Sequence, residues 1–325
     1  MTRVLVTGAN GFVGQSLSRL LHREGFQVRA AIRQQSIYSL PEDFPVTDRV
    51  TFDLDRQEND YNQLLDGVEF VVHLAARVHR VNKSRDDLAV YRRTNVSGSR
   101  LLAEQAARRG VKRFIFLSTI KVNGEYTTAE KHSRQYGFAE SDLANPQDSY
   151  SISKFEAERA IYKVCESSTM KSVILRPPLV YGPGVKANFL QLLKVVARGY
   201  PLPLASIKNL RSILFIENLC NGILACMLHP DAANQIFLIS DYDVSIPELI
   251  RKIASAMGRK AFLIPLPISL LKVMAVLTGK IRSIERLTQS LVIDNSKIKK
   301  NLKWSPPYSL DEGLASTVEW YMLHS

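Results

Sequence analysis

Cysteine is scarce. Only Cys165, Cys220 and Cys226 occur in 325 residues, and their spacing fits neither a disulfide framework nor a metal site. A reducing, cytoplasmic setting and no bound metal are expected. The sequence has no low-complexity tract and no short internal repeat, which excludes solenoids and fibrous arrays. A strand starts almost at once, so no secretory signal is expected. No uninterrupted apolar run is long enough to span a bilayer. The most apolar stretch, Ala261 to Thr278, is broken by Lys272 and two prolines. It reads as a core or interface helix rather than a transmembrane span. Peripheral membrane contact, helped by the nearby Lys280, Arg282 and Arg286, is the lesser alternative.

A run of basic residues is also missing, although 43 Lys and Arg against 31 Asp and Glu give a net charge of +12. The cations are scattered, without interleaved aromatics, which argues against nucleic acid and for a polyanionic small molecule. With 46% hydrophobic residues, the chain can bury a large core and has room for two lobes.

The opening stretch is the most informative. Val4, Leu5 and Val6 suit a strand buried on both faces. Gly8, Gly11 and Gly14 follow at G-x-x-G-x-x-G spacing, and Phe12, Val13, Leu17, Leu20 and Leu21 begin a helical apolar stripe. Strand, glycine turn and helix set a pyrophosphate against a helix N-terminus, because glycine lets backbone N–H groups approach the phosphates. The turn Gly8 to Gly14, with Asn10, Phe12 and Val13 inside it, is assigned to a nicotinamide dinucleotide. Strands and helices then alternate, which predicts an α/β fold with a doubly wound parallel sheet. Strands are expected at Gln27 to Arg33, Val50 to Leu54, Glu69 to Leu74, Arg113 to Ser118 and Ser172 to Leu175. Long helices are expected at Asp86 to Arg109 and Gln147 to Cys165. After Arg176, prolines and glycines break the chain into loops around a helix from Asn188 to Arg198. The expected division is a dinucleotide-binding domain over 1–175, with 211–240 returning to it. A smaller, mostly helical substrate lobe would comprise 176–210 and 241–325.

Particular side chains point to chemistry. Arg33 stands about twenty residues past the glycines, where a carboxylate would bind the adenosine ribose of NAD. An arginine there can pair with a 2′-phosphate, so NADP(H) is favoured over NAD. Asp53 and Leu54 end the third strand, near an adenine. Leu74, Ala75 and Ala76 end the fourth, where small residues let the backbone pass close to a cofactor. Tyr150 and Lys154 share one helix face at i and i+4. An ammonium beside a phenol, together with the positive nicotinamide of the oxidised state, lowers the phenol pKa towards neutrality, making Tyr150 a usable acid or base. Lys154 would also hold the nicotinamide ribose. Ser118 and Thr119 end the fifth strand, where open α/β sheets bind ligands, and a hydroxyl there can bond the oxygen that exchanges the proton.

Taken in order, Val6 to Gly14, His73 to Ala76, Thr94 to Gly98, Leu117 to Gly124, Tyr150 to Lys154 and Leu175 to Pro183 resemble an extended short-chain dehydrogenase/reductase. Within that family they are closest to the nucleotide-sugar epimerase/dehydratase group exemplified by UDP-glucose 4-epimerase. The late stretches Arg211 to Gly222 and Asp294 to Pro306 resemble it too. The resemblance implies Tyr150 as acid/base, Lys154 as its partner, Thr119 in the Ser/Thr role and Asn95 supporting the framework. It implies cofactor contact at Ser118 and Pro177. Contact with a UDP-linked sugar would involve Val78, His79, Thr119, Lys121, Asn123, Tyr150, Asn188, Phe189, Arg211 and Arg286. Family members often dimerise through the two long helices, so a homodimer is the implied assembly.

There are departures from the pattern. Asn123 replaces a tyrosine, Leu179 stands where the 4-epimerases have an asparagine, and Arg33 replaces a carboxylate. The acidic pair that dehydratases carry beside the Ser/Thr is Ile120-Lys121 here, which argues against dehydration. The wording around Thr119 and Pro177 is similar to a bacterial subgroup that includes 4-reductases of UDP-linked 4-keto-6-deoxy-N-acetylhexosamines. Their products, UDP-N-acetylquinovosamine or UDP-N-acetylfucosamine, enter O-antigen and other surface polysaccharides. The first expectation is therefore a 4-ketoreductase and the second a UDP-hexose 4-epimerase with retained NAD. The third, a non-catalytic dinucleotide sensor, is disfavoured because Tyr150 and Lys154 are both present.

Overall fold

Among the described residues of this computed structural model, ten strands build two sheets: β1 (Arg3–Thr7), β2 (Gln27–Ile32), β3 (Asp48–Thr51), β4 (Val68–His73), β5 (Arg113–Leu117), β6 (Lys171–Arg176), β7 (Leu179–Tyr181), β8 (Arg211–Phe215), β9 (Gln235–Leu238) and β10 (Tyr242–Val244). The structure describes residues 1–34, 40–56, 58–78, 88–127, 137–277 and 281–325, without the side chains of 272, 274, 275, 281–283 and 286. Seven strands pair in the order β3-β2-β1-β4-β5-β6-β9, all parallel. The chain runs outward from β1 to β3, then returns to β4 on the other side of β1. That reversal opens a crevice at the carboxyl ends of β1 and β4, the position where such sheets bind ligands.

Successive side chains of a strand point to opposite faces, and both faces here are covered. Val4 and Val6 join one core with Leu17 and Leu21 of α1 (Phe12–Arg23) and Leu219 and Ile223 of α7 (Ile216–Leu228). Leu5 and Val71 join a second core with Leu102 and Ala106 of α4 (Ser99–Arg108) and Ala157 and Ile161 of α5 (Ser149–Glu166). Burial on both sides explains why the strands read as continuous apolar runs. The second sheet is small. β8 lies between β7 and β10, parallel to β7 and antiparallel to β10. Thus Arg211 to Phe215 pairs outside the large sheet, whereas α7 packs on α1 and β9 extends the large sheet beside β6.

Three local features differ from the sequence expectation. Pairing of β3 with β2 ends at Thr51. Asn59 then draws the chain into a turn by accepting from the Asp53 N–H at 3.0 Å and donating to the Asp53 carbonyl at 2.9 Å, so Asp53 and Leu54 lie beyond the strand. The helix expected from Asp86 begins outside the described residues. From α3 (Leu88–Tyr91) it passes through a π-helical stretch, Arg92–Gly98, into α4. The apolar stretch after Ala261 forms α9 (Ile268–Leu277). Leu271 is buried but Leu270, Val273, Val276 and Leu277 are exposed, so this is a surface helix and not a core one. Among the described residues, no helix is long and apolar enough to cross a membrane.

Candidate active site

The glycine turn is folded tightly on itself. Gly8 adopts φ +69°, and its N–H bonds the Ala31 carbonyl at 3.0 Å. A Cβ on Gly8 would come within 3.1 Å of the Ala75 backbone, which links the end of β1 to the end of β4. A Cβ on Gly14 would lie 2.2 Å from the Gly8 carbonyl oxygen, a contact no side chain tolerates. Gly11 is the N-cap of α1, with no side-chain cap bond and no acidic residue in the first turn. The helix dipole and the first N–H groups of α1 therefore face the crevice uncompensated by a carboxylate. That cradle suits the pyrophosphate of a dinucleotide.

Behind the turn, Thr7 and His73 lock β1 to β4. Thr7 Oγ1 accepts from the Leu74 and Ala75 N–H groups, both at 3.1 Å. Its two lone pairs being used, the hydroxyl proton goes to His73 Nδ1 at 2.7 Å, and His73 Nε2–H then donates to Ser99 Oγ at 2.8 Å. The imidazole is thus neutral, in keeping with its burial, which together with the Lys154 charge depresses its pKa to about 3. The backbone of Leu74 and Ala75 is held rigidly where it passes the glycine turn.

The π-helical stretch carries Asn95, an arrangement frequent at functional sites. Asn95 is buried. Its Oδ1 accepts from the Arg77 N–H at 2.7 Å, and its Nδ2 donates to the Arg77 carbonyl at 3.1 Å and Ser153 Oγ at 2.9 Å. Ser153 in turn donates to the Tyr150 carbonyl at 2.7 Å. Asn95 therefore fastens the segment after β4 to the first turns of α5.

Tyr150 and Lys154 occupy those turns, behind a capping box in which the Asp148 carboxylate accepts from the Ser151 N–H and Ser151 Oγ accepts from the Asp148 N–H. Lys154 is 1% exposed, with Nζ 3.8 Å from the centroid of Phe116. Burial lowers its pKa to about 7, against the opposing pull of Glu158. Tyr150 is half-buried by accessible surface, and its phenol is shifted upward from the ordinary value by burial first, then by Asp148 and Tyr91. Burial thus opposes the lowering expected from Lys154 together with an oxidised nicotinamide.

Thr119 caps the short 3₁₀ turn Ile120–Val122, its hydroxyl accepting from the Lys121 N–H at 3.3 Å. The Pro177 carbonyl anchors the turn through the Ile120 N–H at 2.9 Å. Beneath it runs a buried ionic brace. Glu158 accepts from Ser118 Oγ and forms a two-pronged pair with Arg176, whose Nη1 donates to Asn123 Oδ1 at 2.9 Å. Asn123 Nδ2 donates to the Ala139 carbonyl at 3.1 Å. Glu158 and Arg176 escaped the sequence reading. The one clue was an acid on the Lys154 face of α5, one turn further on.

The remaining candidates divide. Asn95, through Ser153, and Thr119, through Lys121 and Asp148, are tied to the start of α5, which carries Tyr150 and Lys154, while Gly8 approaches Ala75 in the glycine turn. Asn10, Phe12 and Val13 lie within or just after the turn, and Leu74 and Ala76 flank Ala75, half-buried. Arg33 is exposed just past β2, Asn188 and Val78 are exposed, and Asp53 accepts from the Asp55 N–H at 3.1 Å. Some side chains are engaged inside the protein instead. Ser118 and Asn123 belong to the brace, Leu54 packs under Gly98, and Phe189 is buried in a stack on Tyr181 with centroids 5.2 Å apart. Lys121 is paired with Asp148. Arg211 is half-buried and donates to the Gln289 carbonyl at 3.2 Å. His79 lies outside the described residues, as does the side chain of Arg286.

Known proteins share this plan. Residues 4–240 match the model of the NAD dependent epimerase/dehydratase family. A UDP-glucose 4-epimerase of Vibrio cholerae is 40% identical over 325 residues, covering 98% of this chain and 95% of its own. The N-acetyl-alpha-D-glucosaminyl-diphospho-ditrans,octacis-undecaprenol 4-epimerase of Escherichia coli O157:H7 is 26% identical, covering 99% of this chain and 96% of its own. Among solved structures, the UDP-glucuronic acid 4-epimerase of Bacillus cereus in complex with NAD superposes with a TM-score of 0.78 at 22% identity, over the full length of both chains.

Proposed function

Because the chain belongs to the NAD-dependent epimerase/dehydratase family, we propose that it is a 4-epimerase of a UDP-linked hexose, working by reversible oxidation at C4. The observation that carries this reading is the link, through Lys121 and Asp148, between Thr119 and the start of α5, the helix that bears Tyr150 and Lys154. The full-length likeness to a UDP-glucose 4-epimerase favours epimerisation among the reactions this constellation can run.

The Gly8–Gly14 turn would hold a nicotinamide dinucleotide, which would supply a hydride acceptor and donor for the sugar C4. Tyr150 Oη exchanges the proton of the 4-hydroxyl, and Thr119 Oγ holds that oxygen by a hydrogen bond. Lys154 places positive charge behind the phenol and favours its ionised form when protonated. Arg211 pairs with the diphosphate. Lys121, already held on Asp148, puts a cation where elimination would need an acid, so the reading is redox at C4 without dehydration.

Arg33 supports a second reading. An exposed guanidinium just past β2, with no Asp or Glu next to it in the sequence, suits the 2′-phosphate of NADP(H). A protein that binds and releases NADPH each turnover would be a 4-ketoreductase of a UDP-4-keto-6-deoxy-N-acetylhexosamine for surface polysaccharide. One preparation separates the two. The epimerase releases stoichiometric NAD on denaturation and interconverts UDP-hexoses with no added cofactor. The reductase releases none and consumes reduced nicotinamide with the keto sugar. We also propose a homodimer through α4 and α5, which light scattering of the purified protein would test.

A further inference from the structure

Lys121 joins the two halves of the catalytic constellation. Its backbone N–H donates to Thr119 Oγ1 at 3.3 Å, and its Nζ donates to Asp148 Oδ2 at 2.7 Å and to Glu125 Oε1 at 3.4 Å. Asp148 is the N-cap of α5, and its other oxygen, Oδ1, accepts from the Ser151 N–H at 2.7 Å. One carboxylate oxygen therefore holds the helix start and the other holds the lysine. Tyr150 sits in that same first turn.

We propose that Lys121 is a positioning residue for Tyr150: through Asp148 it fixes the first turn of α5 against the Thr119 turn and neutralises the N-cap carboxylate two residues before the phenol. The proposal rests on the reading of Tyr150 as the acid/base. Among the described residues, Asp148 at its own helix start and Tyr91 from α3 raise the phenol, Lys154 lies one turn along α5, and Lys121 and Glu125 lie beyond Asp148. Burial pushes the Asp148 carboxyl upward, but the bonds from Lys121 and Ser151 outweigh it and hold the group well below its ordinary range. The anion is therefore permanent at working pH, and Lys121 compensates it.

The test is the pH–rate profile of the wild type, Lys121→Met, Lys121→Arg, Asp148→Asn and the Lys121→Met/Asp148→Asn pair, with melting temperature and bound cofactor measured on each. Lys121→Met should move the limb governed by residue 150 upward by about half a pH unit or more. It should lower kcat while changing KM by less than about threefold. Lys121→Arg should keep the wild-type limb, and the double variant should return towards it. Asp148→Asn keeps a capping side chain and should move the limb downward, so it decides the matter if Lys121→Met does not fold. A superimposable Lys121→Met profile, an unmoved Asp148→Asn limb, or a rise in KM with kcat unchanged would overturn the proposal. Full activity in Tyr150→Phe would instead overturn the underlying acid/base reading, leaving the two failures distinct.

Discussion

Arg176 meets Glu158 in a two-pronged pair, Nε to Oε1 at 3.0 Å and Nη2 to Oε2 at 2.5 Å, with side chains 4% and 3% exposed. The pair joins β6 to α5 directly beneath Lys154. Removing one member of a buried pair strands the other charge, at a cost of about 3–5 kcal/mol. Glu158→Gln should therefore lower the unfolding free energy by about that amount in urea titration, well beyond the effect of an exposed substitution. A loss under about 1 kcal/mol would mean the pair contributes no more than a surface ion pair.

His73 makes stability depend on pH. Its pKa in the folded chain, about 3, lies below the ordinary 6.5, through burial first and the Lys154 charge second. Between those values the unfolded chain binds more protons than the folded one, so unfolding free energy rises with pH across the window. The contribution is complete above 6.5 and is lost as pH falls towards 3, with a limiting slope of about 1.4 kcal/mol per pH unit. Urea midpoints should rise more steeply from pH 4 to pH 7 for the wild type than for His73→Gln. Equal slopes would place a proton on the imidazole in the fold.

Gly14→Ala should open the phosphate turn. The new Cβ meets backbone atoms, the Gly8 carbonyl oxygen at 2.2 Å and the Ala9 Cα at 2.7 Å, so no side-chain rotation relieves it. Overpacking of this kind costs about 1–3 kcal/mol. Calorimetry should find NAD affinity reduced about tenfold or more and a lower melting temperature. Unchanged affinity would remove the turn from the cofactor site.

Arg33→Asp tests the choice of cofactor. A carboxylate past β2 repels a 2′-phosphate and accepts ribose hydroxyls. The ratio of NADP(H) to NAD(H) affinity should fall by about tenfold or more. An unchanged ratio would leave Arg33 as a solvent-facing residue.

Much of this architecture is legible in the sequence because the physics is local. Val4 to Val6 and Phe114 to Phe116 read as strands because both sheet faces are covered. The glycine spacing is legible because Gly14 lacks room for a Cβ and Gly8 takes a positive φ. Tyr150 and Lys154 are legible because a helix turn fixes their spacing. Other features depend on tertiary placement. Glu158, Arg176 and Asn123 meet across three elements, and nothing in the local pattern of any one of them announces the brace. Phe189 looks like a ligand contact at a helix start until Tyr181 stacks on it. The π-helical stretch around Asn95 has no compositional signature. The upward push of burial on the Tyr150 phenol is invisible in a spacing.

The central claim, proton exchange at the sugar by Tyr150, is tested most directly by following UDP-glucose and UDP-galactose by proton NMR with wild type and Tyr150→Phe, no cofactor being added. The account predicts interconversion by the wild type. It predicts a loss of about 10²–10⁴-fold in the variant, with the same amount of NAD released on denaturation from both. A variant that interconverts the sugars at the wild-type rate would contradict it.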